Sequence, residues 1–348
     1  MFSTAPQCTG VLFLYLFMCE NRSMTIVEKK REFNKVLFAW HKKGYRDMPW
    51  RPKFPRPKGD GNGSTTVVRP PKSRGRDRAS LDPYRILVSE IMLQQTQVDR
   101  VRTKYVEFLK KFPSVEVLAK APLGEVLQLW SGLGYNRRAK YLHQCAKEVV
   151  ASHGGKFPKN YEELVLLPGI GMSTAGALLA FSFGHETPMI DTNIRRILTR
   201  VFFKQNLSRL SLDKLDEKQK RNVPRDKELY EFAQSLIPRG KGREWNYAML
   251  DLGATLCTAR NHSDLCPLMK LHGSVSDFVY KKPQKKFKDS RRYYRGQILK
   301  HLSISGPLRT ARLPALLGKT IEDIEGILDD LKKEHLVSVR AGLITLPR

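Results

Sequence analysis

Residues 160–181 read NYEELVLLPGIGMSTAGALLAF, and the step at their centre, Leu167-Pro168-Gly169-Ile170-Gly171, decides how the rest of the chain is read. Asn160 and Glu163 have the spacing of a capped helix start, and the small and apolar residues from Ser173 to Phe181 read as a second helix. Two glycines between the helices allow a tight reversal. They also let backbone N–H groups at the start of the second helix come close enough to hold a phosphate. The expected element is a helix-hairpin-helix, with Gly169 and Gly171 at the nucleic acid and no dependence on base sequence. A plain turn between packed helices is the competing reading of the same residues.

The charge balance favours the first reading. The chain has 348 residues, with 62 Lys and Arg against 34 Asp and Glu, a formal charge of +28. Such an excess points to a polyanionic partner, nucleic acid before an anionic membrane surface. The length accommodates one large core or two to three smaller ones. Five scattered cysteines (Cys8, Cys19, Cys145, Cys257, Cys266) make no disulfide framework, so a reducing, cytoplasmic setting is expected, nucleoid-associated through DNA. The apolar stretch Gly10 to Cys19 is too short to span a bilayer and lacks a basic lead-in, so no membrane attachment is expected. Residues 1–23 read as a disordered extension or as sequence ahead of the true start at Met24, and a monomer is expected.

An amphipathic helix is expected from Thr25 to Trp40. A basic, Pro/Gly-rich insertion follows at 52–82, with nine basic residues from Arg51 to Arg78 against two acids and no apolar period. At Asp82 the pattern turns helical: Asp82 suits an N-cap, Pro83 the first helical position, and Ile86, Leu87, Ile91 and Leu93 supply the apolar face. Helical periods then run to about residue 256 without alternating strands, so the body is expected to be all-α. A basic linker spans 276–292, with seven Lys/Arg in the twelve residues from Lys281 to Arg292. In the tail, 293–348, helices near Arg295 to Leu302 and Ile321 to Leu331 precede strands Leu336 to Val339 and Leu343 to Leu346, joined through Gly342. That order suits a winged helix, a module that binds DNA about as often as it docks on protein.

Two carboxyls stand out in the body. Glu90 shares a helical face with Leu87, Ile91 and Gln94; burial there would raise its pKa and suit it to general acid work, whereas a partly exposed, ion-paired Glu is the plain alternative. Asp191 precedes the periodic helix of Ile194, Ile197, Leu198 and Val201, where it reads as an N-cap. Helix dipole and backbone donors would hold it ionised, able to stabilise a cation developing on a sugar. Two carboxyls whose environments push their pKa values apart are the usual equipment for cleaving a glycosidic bond.

Several segments together carry a resemblance: Ser89-Glu90-Ile91-Met92-Leu93-Gln94-Gln95-Thr96-Gln97, the turn Gly132-Leu133-Gly134-Tyr135, the hairpin, Ile190-Asp191-Thr192-Asn193, and Asn246 to Ala254. From about Phe33 to Cys266 the chain resembles adenine DNA glycosylases of the MutY kind, within the endonuclease III-like helix-hairpin-helix glycosylases. The resemblance implies two helical lobes, one from 24–51 plus 186–275 and one, a six-helix barrel carrying the hairpin, from 83–185. It implies double-stranded DNA with a mispaired or damaged base as partner, and hydrolysis of the N-glycosidic bond of adenine opposite guanine or 8-oxoguanine. The adenine would be flipped out of the stack and protonated by Glu90, with Asp191 stabilising the sugar cation and Asn193 supporting the carboxylates. Gln94, Gln95 and Thr96 fall in the DNA-contacting block, and Gln95 and Tyr135 match positions that push into the base stack.

Where the endonuclease III branch carries a Lys just after the hairpin, this chain has Ser173, so a monofunctional enzyme is expected. The family's four-cysteine 4Fe-4S loop falls on Cys257, Ser263, Cys266 and His272, so no stable cluster and no other cofactor is expected. No stretch resembles the Nudix-like domain of many such enzymes. Two rivals remain: a thymine or uracil mismatch glycosylase of the same fold, and a non-catalytic protein that binds DNA damage.

Overall fold

The computed structural model describes residues 24–52, 81–203, 224–258, 265–272 and 287–347. Most of the 52–82 insertion and of the 276–292 linker, together with residues 1–23 and Ser263, lie outside the described residues. In chain order the helices are α1 (Ile26–Gly44), α2 (Pro83–Leu93), α3 (Val98–Lys111), α4 (Val115–Lys120), α5 (Leu123–Trp130), α6 (Arg137–His153), α7 (Tyr161–Leu164) and α8 (Met172–Ala177). They continue with α9 (Thr192–Phe202), α10 (Asp226–Leu236), α11 (Gly242–Thr255), α12 (Met269–His272), α13 (Arg291–Ser305), α14 (Leu313–Leu317) and α15 (Ile321–Lys333). Strands β1 (Leu308–Arg309), β2 (Ser338–Arg340) and β3 (Leu343–Thr345) all lie near the C-terminus.

Local chemistry accounts for the helix starts. Thr25 and Glu28 form a reciprocal capping box at α1. Asp82 accepts from the Tyr84 N–H at 3.0 Å, with Pro83 at the first position of α2. Asn160 caps α7 by accepting from Glu163 N at 2.8 Å, and Ser290 and Thr320 cap α13 and α15. None of the described helices is long and apolar enough to cross a membrane.

The chain divides into two compact units. The first combines the described parts of 1–46 and 184–283. Its core joins α1, α9, α10 and α11 through Leu37, Ile197, Leu236 and Trp245, and edge-on ring contacts run from Phe33 to Phe202 at 5.2 Å and from Phe202 to Phe232 at 4.9 Å.

The second unit combines the described parts of 47–183 and 284–348. Helices α2 to α8 bury Leu87, Ile91, Phe108, Trp130 and Phe181, and the Tyr84 hydroxyl donates to Phe112 O at 2.7 Å. The hairpin lies between α7 and α8, whose last turns widen into a π-helix over Leu178–Ser182. Gly169 has φ +78°, and a Cβ there would stand 2.7 Å from the Tyr141 Cβ.

The same unit contains the C-terminal domain. Its order of helix, strand, two helices and two strands, with an antiparallel sheet β1-β3-β2, is that of a winged helix. The second strand starts later than the sequence reading placed it. Leu336 and Val337 are buried and complete the turn after α15, where Leu336 N donates to Leu331 O at 2.9 Å, so pairing begins only at Ser338. The first helix of the domain begins inside the basic linker, at Arg291. Within the unit the domain is held to α5 and α6: Gly124 N donates to Pro347 O at 2.8 Å, and Lys140 Nζ to Glu334 O at 2.7 Å.

Gly169→Ala is expected to lower stability by roughly 2–4 kcal/mol, because it adds left-handed strain to a steric clash. Gly171 is in extended backbone facing open space, so Gly171→Ala should cost under about 1 kcal/mol. Thermal unfolding of the two variants checks the difference.

Candidate functional site

The glutamine-rich block and the Tyr135 turn meet on one buried arginine. Helix α2 is buried from Ile86 to Met92 except at Glu90, which is half-exposed. The helix ends at Leu93, and the chain then turns through Gln94, Gln95 and Thr96, with Gln95 at φ +55°. The second turn, between α5 and α6, places Tyr135 at φ +48°. Non-glycine residues held left-handed cost about 1–3 kcal/mol each and persist only where their surroundings fix them.

Arg138 does the fixing. Its Nη1 reaches Ile91 O at 2.8 Å, Met92 O at 2.9 Å and Gln94 O at 2.6 Å, and its Nη2 reaches Thr96 Oγ1 at 2.9 Å, Leu133 O at 3.2 Å and Gly134 O at 3.0 Å. The carbonyls just before both strained residues, Gln94 O and Gly134 O, therefore share one guanidinium. Trp130 Nε1 also donates to Gly134 O at 3.1 Å, and the guanidinium lies 5.4 Å from the Trp130 ring centre. Arg138 is 8% exposed, and burial lowers its pKa to about 10, which leaves it charged at neutral pH.

Asp191 sits in the other unit, half-buried at the N-terminus of α9. Its Oδ1 accepts from the Asn193 and Ile194 N–H groups, both at 2.8 Å, and its Oδ2 from Asn193 Nδ2 at 2.8 Å. Asn193 Oδ1 in turn accepts from Arg196 Nη2 at 2.8 Å, and the same guanidinium reaches Gly253 O and Cys257 O, also at 2.8 Å. A Cβ on Gly253 would stand 2.5 Å from the Asn193 Cβ, so only glycine lets α11 approach α9 this closely. Asn246 anchors the segment leading to Asp191: fully buried, it accepts from Met189 N at 2.8 Å and donates to Thr187 O at 2.9 Å and Gly242 O at 2.8 Å.

The donors expected around Asp191 are in place, but the balance differs from the sequence expectation. Burial pushes the carboxyl above its ordinary range and outweighs the Ile194 and Asn193 hydrogen bonds and the Arg196 charge. The remaining sequence-singled residues divide between the units: Glu90, Gln94, Gln95, Thr96, Tyr135, Gly169, Gly171 and Ser173, in the first turn of α8, belong to one, and Asp191, Asn193, Cys257 and Cys266 to the other.

Residues 88–221, which carry Glu90, Tyr135, the hairpin and Asp191, match the family described as "HhH-GPD superfamily base excision DNA repair protein". An adenine DNA glycosylase of Mycolicibacterium smegmatis is 30% identical over 311 residues, 88% of this chain and 92% of its own length. The chain belongs to the adenine DNA glycosylase family. A Buchnera aphidicola member is 39% identical over 188 residues, 54% of this chain, but the chain spans only 50% of that relative's length. Among solved structures, a thermostable thymine-DNA glycosylase shares 26% identity at a TM-score of 0.55, over 71% of this chain and 96% of its own. The 88% share is too large to leave out the whole of 293–348, so part of the C-terminal domain is common to the mycobacterial relative.

For this family the cysteine loop is the place to test a metal centre. Cys257 Sγ accepts from Arg200 Nη1 at 3.1 Å, and Cys266 Sγ lies 3.7 Å from His272 Nε2. The Cys266 thiol, and after it Arg200, hold Cys257 below the usual thiol range, while the donor Cys266 is pushed up. Among the described residues no group of three or more His, Cys, Asp or Glu is placed to hold a metal ion, and the two thiols do not supply a four-thiolate set.

Arg138 escaped the reading of the sequence, and Asn246 and Gly253 were read only as part of the segment that carries the resemblance, without a role. Arg138 lies in a basic run, Arg137-Arg138-Ala139-Lys140, where a solvated charge is the ordinary expectation; the one available signal was its place one turn after the Gly-Leu-Gly-Tyr step. Arg138→Met should lower stability by about 3–5 kcal/mol by orphaning buried carbonyls. Arg138→Lys should recover less than half of that, because an ammonium cannot span both turns. Urea unfolding midpoints measure both.

Proposed function

We propose that this chain is a monofunctional adenine DNA glycosylase that hydrolyses the N-glycosidic bond of adenine mispaired with guanine or 8-oxoguanine in double-stranded DNA. The observation that carries the reading is the Asp191 cap, a half-buried carboxylate met by three N–H donors and braced through Asn193 by Arg196. An acceptor satisfied only by N–H groups is matched to the ionised form, and low dielectric strengthens its pull on a cation forming at the sugar. Family membership supports adenine as the base, since relatives at 30–39% identity carry that name.

In this reading the adenine leaves the stack, because its glycosidic bond and ring nitrogens are inaccessible within the duplex. Glu90 gives a proton to the purine ring, which weakens the bond to the sugar as the leaving group becomes neutral. Asp191 stabilises the oxocarbenium-like sugar until water adds. Gln95 and Tyr135 enter the stack from their strained turns, and Gly169 and Gly171 hold the phosphate backbone. Ser173 supplies no amine, so no covalent imine forms and the strand stays intact. The cysteine loop is proposed to carry no 4Fe-4S cluster, with Arg196 and Arg200 tying it to α9 instead.

The thymine-DNA glycosylase at 26% identity favours a second reading, with the same carboxyl roles and thymine or uracil as the base.

Glu90→Gln is expected to keep mispair affinity within about threefold and to lose about 10²–10⁴-fold in single-turnover rate. Retained turnover would remove Glu90 from the chemistry. The acid limb of the rate profile should lie above the ordinary aspartate range, because a carboxyl with a raised pKa loses its charge earlier as pH falls. A limb at or below that range would contradict the burial assigned to Asp191. Colorimetric assay of protein purified from iron-replete cells should find no stoichiometric iron or sulfide.

A further inference from the structure

We propose that Arg292 is a positioning residue for Tyr135, so that the C-terminal domain acts as a brace on the turn that enters the duplex. The inference rests on the reading of the chain as an adenine-mispair glycosylase.

Arg292 lies in the first turn of α13, where the Ser290 cap fixes the helix start. Its Nη1 donates to the Tyr135 hydroxyl at 2.6 Å, and its guanidinium stands 5.1 Å from the Tyr135 ring centre. Arg138 approaches the same ring at 5.5 Å, so two guanidiniums flank one aromatic whose backbone is held left-handed at φ +48°. Arg138 fixes the backbone of the turn, and Arg292 fixes the ring. A ring restrained before DNA arrives loses less freedom on insertion between bases, which favours the distorted mispair site over a matched duplex.

The domain is built to hold that contact. Glu334, just past α15, pairs with Arg295 on α13 and lies 3.9 Å from Arg137 Nε on α6, next to the Tyr135 turn. With the Lys140 and Gly124 bonds, these contacts seat α13 against the lobe that carries Tyr135. A separate duplex-reading role for the domain meets an electrostatic objection. The helix a winged helix ordinarily lays in a groove is its third, here α15, which exposes Glu322, Asp323, Glu325 and Asp329 along its length and Lys332 and Lys333 only in its last turn, Lys332 paired with Asp329 at 2.6 Å. Such a face repels phosphate.

The test measures full-length protein binding to two duplexes at several salt concentrations. One carries a fluorinated, cleavage-resistant adenosine opposite 8-oxoguanine, and the other is matched. Arg292→Ala should cut the preference for the mispair roughly tenfold and leave matched binding within about threefold. Arg292→Lys should restore only a small part, since an ammonium neither stacks nor forks. In a Tyr135→Ala background, Arg292→Ala should change the preference less than about twofold, as expected of a residue acting through Tyr135. If Arg292→Ala proves poorly folded by thermal melt, the Lys variant alone decides.

Equal losses on both duplexes, with a salt slope shallower by about one and persisting in the Tyr135→Ala background, would make Arg292 a plain phosphate contact and overturn the proposal. An unchanged preference would overturn it too. A wild-type protein with no mispair preference would instead fail the adenine-mispair reading, whereas a preference without coupling fails this inference alone.

Discussion

A guanidinium buried in a protein interior must be given acceptors at nearly every donor, because an unsatisfied charge there is among the costliest things a fold can hold. Arg138 meets that requirement at both terminal nitrogens, with carbonyls that themselves need donors and with the Thr96 hydroxyl, while its Nε has no partner among the described residues. The last carbonyls of α2 have no partner within the helix, and those of the Gly-Leu-Gly-Tyr turn face inward. One side chain thus closes two deficits and ties together the end of the Glu90 helix, the Gln95 turn and the Tyr135 turn. The strain at Gln95 and Tyr135 is sustained by that bond set.

The other unit solves a similar problem by a relay. Asn246 satisfies the chain entering Asp191, Asn193 satisfies the second oxygen of Asp191, and Arg196 satisfies Asn193 while reaching the carbonyls of Gly253 and Cys257. The relay ends at the cysteine loop, where Arg200 meets the Cys257 sulfur. A cluster with four thiolates would concentrate negative charge at that point. Arg196 and Arg200 on α9 reach the Cys257 carbonyl and sulfur, and Gly253 lets α11 approach α9 closely.

What the sequence conveyed well was whatever depends on near neighbours. The Asp82, Asn160 and Asp191 caps, the Pro83 start and the hairpin glycines are local geometry, and a spacing of a few residues carries it. Glu90 and Asp191 were each legible from local pattern, one as a carboxyl on an apolar helical face and the other at a helix start, whereas the roles proposed for Gln95 and Tyr135 came only through the resemblance. Arg138 was unreadable for a physical reason: whether an arginine is solvated or buried depends on carbonyls more than 40 residues away, which only the folded chain brings to it. The direction of the Asp191 shift had the same origin, since its cap is local and its burial is not. In the tail, helix and strand order was readable, but the strand start slipped because Leu336 and Val337 look equally apolar in a strand and in a buried turn.

Adenine excision without strand cleavage is tested most directly by single-turnover reaction on four duplexes, carrying adenine opposite 8-oxoguanine, adenine opposite guanine, thymine opposite guanine and uracil opposite guanine. Each is analysed with and without alkali, which converts abasic sites into breaks. The expected result is strand breakage only after alkali and only in the two adenine duplexes. Release of thymine or uracil, breakage without alkali, or no release from any duplex would contradict it.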